Sequence, residues 1–225
     1  MTRLNEKFAE IPYQNGVIQN NTWGFNGNGD PPQSISGPPG DPAGWTWDWP
    51  GADNTKVVAY PEIIFGKKPW SPQSTSPQLP KMIGALGSIA VDYSLSISAT
   101  GAYNAAFDIW ITSSPQADEA SIRTEVMVWV CRRGLNPAGG SSQLFDTPYG
   151  QMRIYEATMD AWKYVACVLE NELLAATMDL KFFIDFLVDA GRITSGQYLA
   201  SVEFGNEIAF GQGETVVNNY SINVT

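Results

Sequence analysis

Two glutamates stand in sequence contexts that could supply a pair of catalytic carboxylates. Glu125 lies in the run TEVMVW, and Glu207 ends the segment SVEFGNE. Because side chains in a β-strand alternate between its faces, Glu125, Met127 and Trp129 share one face and valines occupy the other. The valine face suits a core, so the glutamate face is expected to look into solvent or a cleft. The alternative, and the more common case, is a solvated strand with a structural glutamate.

Other catalytic chemistries are restricted by the residue types that the chain lacks. It contains no histidine, which excludes Ser-His-Asp and Cys-His nucleophiles and every His-ligated metal site. Cys131 and Cys167 form no C-x-x-C motif, and whether they pair as a disulfide is left open. Proton transfer would therefore fall to carboxylates, Lys or Tyr, and we expect no cofactor and no metal.

Length and composition favour a single secreted domain. The 225 residues, 44% of them hydrophobic, predict one domain over 1–225. A formal net charge of −10 argues against nucleic-acid and membrane partners. No apolar stretch approaches a membrane span, and the N-terminus lacks the apolar segment of a signal peptide. We expect a monomeric, extracellular protein whose signal peptide is not part of this sequence.

Hydrophobic periodicity predicts an all-β protein. The clearest strand is 88–98, where large apolar side chains alternate with Ser, Asp and Ala. The run WTWDW at 45–49 places three indoles on one face, either in the core or toward a ligand. One helix is predicted at 178–190, capped by Thr177 and stopped by Gly191. Further strands are predicted at 16–24, 57–60, 62–66, 105–112, 198–209 and 214–224, which together indicate a β-sandwich.

The order of several motifs resembles glycoside hydrolase family 12, the compact endo-β-1,4-glucanases and xyloglucanases. The segments that carry the resemblance are NNTWG at 20–24, YPEIIFG at 60–66, DIW at 108–110, EVMVW at 125–129 and SVEFGNE at 201–207. The resemblance implies a jelly-roll β-sandwich of two antiparallel sheets, with a concave substrate cleft and one packed α-helix. The disulfide pattern of fungal members is not reproduced, which suggests a prokaryotic branch.

The resemblance also implies the catalytic residues. Glu125 would be the nucleophile and Glu207 the acid/base of a retaining mechanism, which needs carboxyls about 5–5.5 Å apart. Asp108 would lie beside Glu125, hydrogen-bond to it and tune its charge. Glu203 stands where family members often have Gln and adds a further acid. From these carboxylates we expect an acidic pH optimum.

The same resemblance implies the substrate and its contacts. Asn21 and Trp23 would bind sugar as a platform in the minus subsites, although a core position for Trp23 is the alternative. Met127 and Trp129 would line the floor of the cleft and bind substrate. The predicted activity is hydrolysis of internal bonds in cellulose or mixed-linkage β-glucan. Alternatives are a xyloglucan-specific endoglucanase and, in a different class, a non-catalytic carbohydrate-binding module.

Overall fold

The structure is a computed structural model that describes residues 2–39 and 42–225. It contains seventeen β-strands and one α-helix within these ranges. In chain order they are β1 (Thr2–Leu4), β2 (Glu10–Tyr13), β3 (Gly16–Gln19), β4 (Gln33–Gly37), β5 (Ala43–Trp49), β6 (Glu62–Gly66), β7 (Lys81–Met82), β8 (Ile89–Ala99), β9 (Ala102–Thr112), β10 (Ile122–Arg133), β11 (Gly140–Ser141), β12 (Phe145–Thr147), β13 (Gly150–Thr158), β14 (Lys163–Leu169), β15 (Ala175–Asp179), α1 (Lys181–Asp189), β16 (Tyr198–Gly205) and β17 (Ile208–Val224).

The strands form two layers, which we call the inner and outer sheets. The inner sheet has the order β2-β3-β6-β16-β9-β10-β14-β13, with the short strands β7, β11 and β12 paired at its margins. The outer sheet has the order β1-β4-β5-β17-β8-β15. The sandwich expected from the sequence is therefore present. One detail differs, because β10 and β14 run parallel.

Strand β17 connects the two layers. Its first residues pair with β9 in the inner sheet, and the rest pair with β5 and β8 in the outer sheet. The change of sheet coincides with Gly211, which has φ 105°. A Cβ at this position would lie 2.1 Å from the carbonyl oxygen of Thr100, so only glycine fits the crossing.

The core lies between the two sheets. Phe107 and Phe204 of the inner sheet stack with ring centroids 4.2 Å apart, and Tyr93 and Tyr220 of the outer sheet pack against Phe204 at 5.0 and 5.5 Å. Each fully buried aromatic side chain contributes about 1.5–3 kcal/mol. The alternation predicted for 88–98 is confirmed, because the large apolar residues of β8 face this core while Asp92 is exposed.

The three indoles of β5 belong to the core. Trp45, Trp47 and Trp49 are all buried. Trp45 Nε1 donates to Asn206 Oδ1 at 2.7 Å, and Trp49 Nε1 donates to Gln33 Oε1 at 3.0 Å. The stripe thus packs against the inner sheet and does not form a ligand surface.

The helix begins later than the sequence predicted, and its predicted cap is wrong. Thr177 lies in β15 opposite Asp92, to which its hydroxyl donates at 3.1 Å. The residues that helical spacing had assigned to the first turn of the helix are therefore part of strand β15, which pairs with β8. Asp179 anchors the start instead, because its Oδ1 accepts the backbone N–H of Lys181 at 3.0 Å. The predicted stop is confirmed by Gly191, which has φ 70°.

The two cysteines are free and buried in the structure. Cys167 lies opposite Val128 on the neighbouring strand, whereas Cys131 is three residues further along and donates to Glu172 Oε1 at 2.8 Å. The one described helix of regular α form is too short to cross a membrane, and no other helix in the described ranges could do so.

Candidate active site

The predicted acidic residues converge on the face of the inner sheet that points away from the core. Within this sheet Glu125 of β10 lies opposite Trp110 of β9, and Asp108 of β9 lies opposite Glu203 of β16. Directly opposed residues on paired strands have Cβ atoms about 4.5–5.5 Å apart, and diagonal neighbours remain within reach of long side chains. The backbone N–H of Asn104 in β9 donates to the carbonyl of Glu207 at 3.0 Å. Pairing across β10, β9 and β16 therefore gathers the acidic residues.

Glu125 is half-buried and held by one indole. Trp162 Nε1 donates to Glu125 Oε2 at 2.7 Å. Trp162 directly precedes β14, and the parallel pairing of that strand with β10 brings it alongside Glu125. Burial raises the pKa of Glu125 to about 7, the indole hydrogen bond opposes the rise, and the nearby Glu203 adds to it.

Glu207 is also half-buried, and both polar atoms of the Asn104 side-chain amide bind it. Asn104 Nδ2 donates to Glu207 Oε2, while Asn104 Oδ1 accepts the backbone N–H of Glu207 at 2.8 Å. The neighbouring residue, Asn206, also binds strand β9, because its Nδ2 donates to the backbone carbonyl of Asn104. Burial and then the charge of Glu125 raise the pKa of Glu207 to about 8, against the effect of the Asn104 hydrogen bond. Glu207 therefore holds its proton to a higher pH than Glu125.

Asp108 is buried between the other acids. Burial first and the Glu125 carboxylate second raise its pKa well above the ordinary range. The hydrogen bond that we expected between Asp108 and Glu125 is not among those formed by the described residues, and Asp108 Oδ1 has no partner. Asp108 thus contributes an unpaired carboxyl oxygen that is close enough to interact with the charge of Glu125.

Met127 and Trp129 lie below the surface of the site. Each is 1% exposed, and Trp129 Nε1 donates to Met127 Sδ at 3.3 Å. A side chain without exposed area cannot stack on a sugar ring. The expectation that these two residues contact substrate is therefore not supported; they form the packed layer beneath the floor.

The expected platform residues differ from each other in exposure. Trp23 is 51% exposed, so the alternative core position is wrong and its ring is free to contact a ligand. Asn21 is buried, and its Nδ2 donates to Glu62 Oε1 at 2.8 Å. Asn21 therefore belongs to the polar layer under the face rather than to its surface.

Several residues of this face were not identified from the sequence. They are Asn104, Trp162, the ion network of Glu62 with Lys68, and the exposed Trp70, whose ring packs edge-on against Trp110 at 4.9 Å. Their proximity depends on strand register between distant segments, so no local motif marks them. The described ranges contain no group of three or more His, Cys, Asp or Glu side chains that could hold a metal ion.

Known proteins similar to this chain include glycoside hydrolases. Endoglucanase S of Pectobacterium parmentieri is 29% identical over 188 residues, covering 80% of this chain and 71% of that protein. Inactive glycoside hydrolase XLP1 of Phytophthora nicotianae is 24% identical and covers 91% of this chain and 84% of that protein. A solved family 12 xyloglucanase from Bacillus licheniformis has a TM-score of 0.92 and 26% identity, with full coverage of both chains.

The solved structure confirms the expected jelly-roll fold of the whole chain. The family resemblance is confirmed as well, because the model of glycosyl hydrolase family 12 matches residues 14–225, which include both glutamates. The chain belongs to glycosyl hydrolase family 12.

Proposed function

We propose that this protein is a retaining endo-β-1,4-glucanase that cleaves internal bonds of cellulose or mixed-linkage β-glucan. The observation that carries the proposal is the pair Glu125 and Glu207, half-buried on one face with pKa values of about 7 and about 8. Double displacement needs one ionised and one protonated carboxyl at the same pH. The family motifs assign the nucleophile to Glu125 and the proton donor to Glu207, and the higher pKa of Glu207 is in line with these roles.

The reaction follows from these two states. The Glu125 carboxylate attacks the anomeric carbon, the bond to the glycosidic oxygen breaks, and Glu207 gives its proton to that oxygen. Glu207 then accepts a proton from water as the oxygen of that water displaces Glu125 from the anomeric carbon. The sugar keeps its β configuration, and both carboxyls return to their starting states.

Neighbouring side chains prepare this chemistry. The Trp162 indole donates to one oxygen of Glu125 and leaves the other free to attack. Asn104 orients the Glu207 carboxyl through its paired contacts. Asp108, next to Glu125, disfavours ionisation of both acids at once, so a proton on Asp108 leaves Glu125 as the ionised nucleophile before attack.

Substrate binding is assigned to the exposed aromatic surface of this face. The free ring of Trp23 suits stacking on a glucose unit in the minus subsites. A xyloglucan-specific endoglucanase is the second candidate, because the similar solved structure from Bacillus licheniformis is a xyloglucanase. We expect the enzyme to act as a secreted monomer without cofactor or metal.

Product analysis on three substrates tests the activity and its specificity. The substrates are carboxymethylcellulose, barley β-glucan and xyloglucan, and we expect shortened oligosaccharides from the first two. Preferential cleavage of xyloglucan would support the second candidate instead. Binding of these glucans with no cleavage would support the non-catalytic class, which the inactive Phytophthora relative makes a real alternative.

Glu125→Gln and Glu207→Gln test the assignment of the pair. Each should abolish most turnover in a protein that still folds, whereas Glu170→Gln removes an exposed carboxylate paired with Arg153 and should leave activity unchanged. NMR of the first product should show the β-anomer. An α-anomer would contradict retention, and near-normal activity in a folded variant would remove that glutamate from the mechanism.

A further inference from the structure

A buried lysine joins two glutamates beneath the candidate active site. Lys68 Nζ lies 2.5 Å from Glu62 Oε1 and 3.1 Å from Glu203 Oε2. All three side chains are buried, the glutamates almost completely. A charged group removed from water needs partners, so a network of this kind is costly unless its geometry is well satisfied.

The loop after β6 is built to return Lys68 toward the sheet. Gly66 ends β6 with φ 101°, and a Cβ there would lie 2.7 Å from the Ala200 carbonyl oxygen. The backbone N–H of Lys67 donates to the same carbonyl at 2.7 Å, and Thr75 Oγ1 accepts the Gly66 N–H at 2.9 Å. The lysine position is therefore fixed by backbone contacts on both sides of the turn.

Of the two glutamates, Glu203 has the better-satisfied carboxylate. Its Oε1 accepts from Ser201 Oγ at 2.8 Å and its Oε2 from Lys68. Glu62 Oε1 accepts from Lys68 and Asn21, but Glu62 Oε2 is buried without a partner. A carboxylate with both oxygens bonded tolerates burial as an anion, while an unpartnered oxygen favours the neutral acid. Lys68 and Glu203 therefore carry the charges of the network.

Glu203 lies directly opposite Asp108, which separates it from Glu125 on the next strand. The titratable and charged groups that interact with Glu203 are Glu62 of β6, Lys68 of the following loop, Asp108 of β9, Glu125 of β10 and the phenol of Tyr60. Glu207 and Tyr164 interact with Asp108 and Glu125 instead. The Tyr60 hydroxyl is neutral and donates to the carbonyls of Ala106 and Glu203.

We propose that Lys68 and Glu203 are positioning residues that set the charge of the catalytic face: Lys68 keeps Glu203 ionised, and this fixed negative charge keeps the proton on Asp108 beside the nucleophile. The inference deepens the proposed function and rests on it. Neither residue is assigned contact with the substrate. The two residues affect catalysis through the protonation of Asp108. The protonation of Asp108 determines the lowest pH at which Glu125 stays ionised.

The pH dependence of kcat/KM in three variants tests this role. Glu203→Gln keeps the shape and removes the charge, so Asp108 loses its proton more easily and the resulting carboxylate holds a proton on Glu125. The acid limb of kcat/KM therefore moves about one unit higher, a loss of about tenfold at acidic pH. Glu203→Asp keeps the charge and alters the shape, so the acid limb stays near that of the parent. The matched control Glu170→Gln removes one exposed carboxylate paired with Arg153 and leaves the acid limb in place.

The outcomes separate charge from structure. An acid limb that moves to higher pH in Glu203→Gln but not in Glu203→Asp supports the proposal. An unmoved limb in folded Glu203→Gln overturns it, and so does an equal movement in both Glu203 variants, which would indicate a packing effect. KM on barley β-glucan should stay close to the parent value in both variants, since neither position is placed against substrate.

Carbon-13 NMR of carboxyl-labelled parent protein tests the same charges without activity. With Asp108→Asn as the assignment control, the Asp108 carboxyl should remain protonated through neutral pH while one buried glutamate stays ionised. Titration of Asp108 in the ordinary carboxyl range would overturn the proposal even if Glu203→Gln failed to fold. A parent protein that hydrolyses no glucan would refute the proposed function, and this titration would still decide the charge arrangement.

Discussion

Replacing Trp162 by Phe isolates one hydrogen bond to Glu125, the proposed nucleophile. The variant removes the 2.7 Å contact from the indole to Glu125 Oε2 but keeps an aromatic ring. A hydrogen bond to a charged group contributes about 1.5–3 kcal/mol, and 1.36 kcal/mol corresponds to one pKa unit. Because the lost bond stabilised the ionised form, the pKa of Glu125 should rise by about one to two units from about 7. At about pH 6, kcat/KM should fall at least about tenfold.

The assay is the pH–rate profile on barley β-glucan, with Trp110→Phe as the matched control. Trp110 packs against Trp162 with ring centroids 5.5 Å apart, and its own Nε1 has no hydrogen-bond partner. The control therefore perturbs the same aromatic cluster without removing a bond to Glu125. If the acid limb of the pH–rate profile moves equally in both variants, the effect comes from packing. If the acid limb of the pH–rate profile does not move in Trp162→Phe, the indole hydrogen bond does not stabilise the ionised form of Glu125.

Three further predictions concern binding and stability. Trp23→Ala should raise KM for a soluble glucan about threefold to tenfold with kcat nearly kept, because an exposed aromatic contact contributes about 0.5–1.5 kcal/mol; an unchanged KM would exclude a platform. Lys68→Met should lower the free energy of unfolding at neutral pH by about 3–5 kcal/mol, because it leaves buried carboxyl groups without their cation. Urea unfolding measures this change, and a loss below about 1 kcal/mol would contradict the prediction. The pKa of Glu207 rises from 4.5 to about 8 on folding, so its stabilising effect is complete below about pH 4.5 and is lost as the pH rises through about 8. In denaturant titrations, Glu207→Gln should therefore reduce the parent's decline in stability between about pH 5 and pH 9 by ~4 kcal/mol.

The same pKa values revise the acidic pH optimum expected from the sequence. In the proposed mechanism activity needs ionised Glu125 and protonated Glu207, so we expect the rate to rise through about pH 7 and to fall through about pH 8. The sequence showed that many acids are close together, but it did not show how far they are removed from water. Burial is the first cause of both shifts, and it moves the predicted optimum toward neutrality.

Features with a short-range signal could be predicted from the sequence. Alternation identified β8 and the shared face of Glu125, Met127 and Trp129, because period-two patterns depend only on neighbouring residues. The motif order identified the family and therefore the sandwich. Alternation could not tell a cleft floor from a second buried layer, and so Trp129 was expected at the surface although it is buried.

Features that depend on tertiary pairing were missed. Asn104 reaches Glu207, and Trp162 reaches Glu125, through register between segments far apart in the chain. Lys68 stands in a loop with a second lysine and a proline, a composition typical of exposed turns, yet it is buried against Glu203. Thr177 shows the reverse error, since pairing with β8 overrode a plausible helix cap.

The crossing of β17 between the sheets links the order of folding to the onset of activity. This strand begins one residue after Glu207, and further along it Thr215 pairs with Trp45 and Val217 pairs with Leu95. Pairings of such long sequence separation carry a high loop-closure cost and form slowly. We therefore expect Glu207, the proposed proton donor, to reach its final position late, when the two layers close on each other. During refolding, we expect hydrolysis to recover with the slowest phase of assembly rather than with early formation of local hairpins.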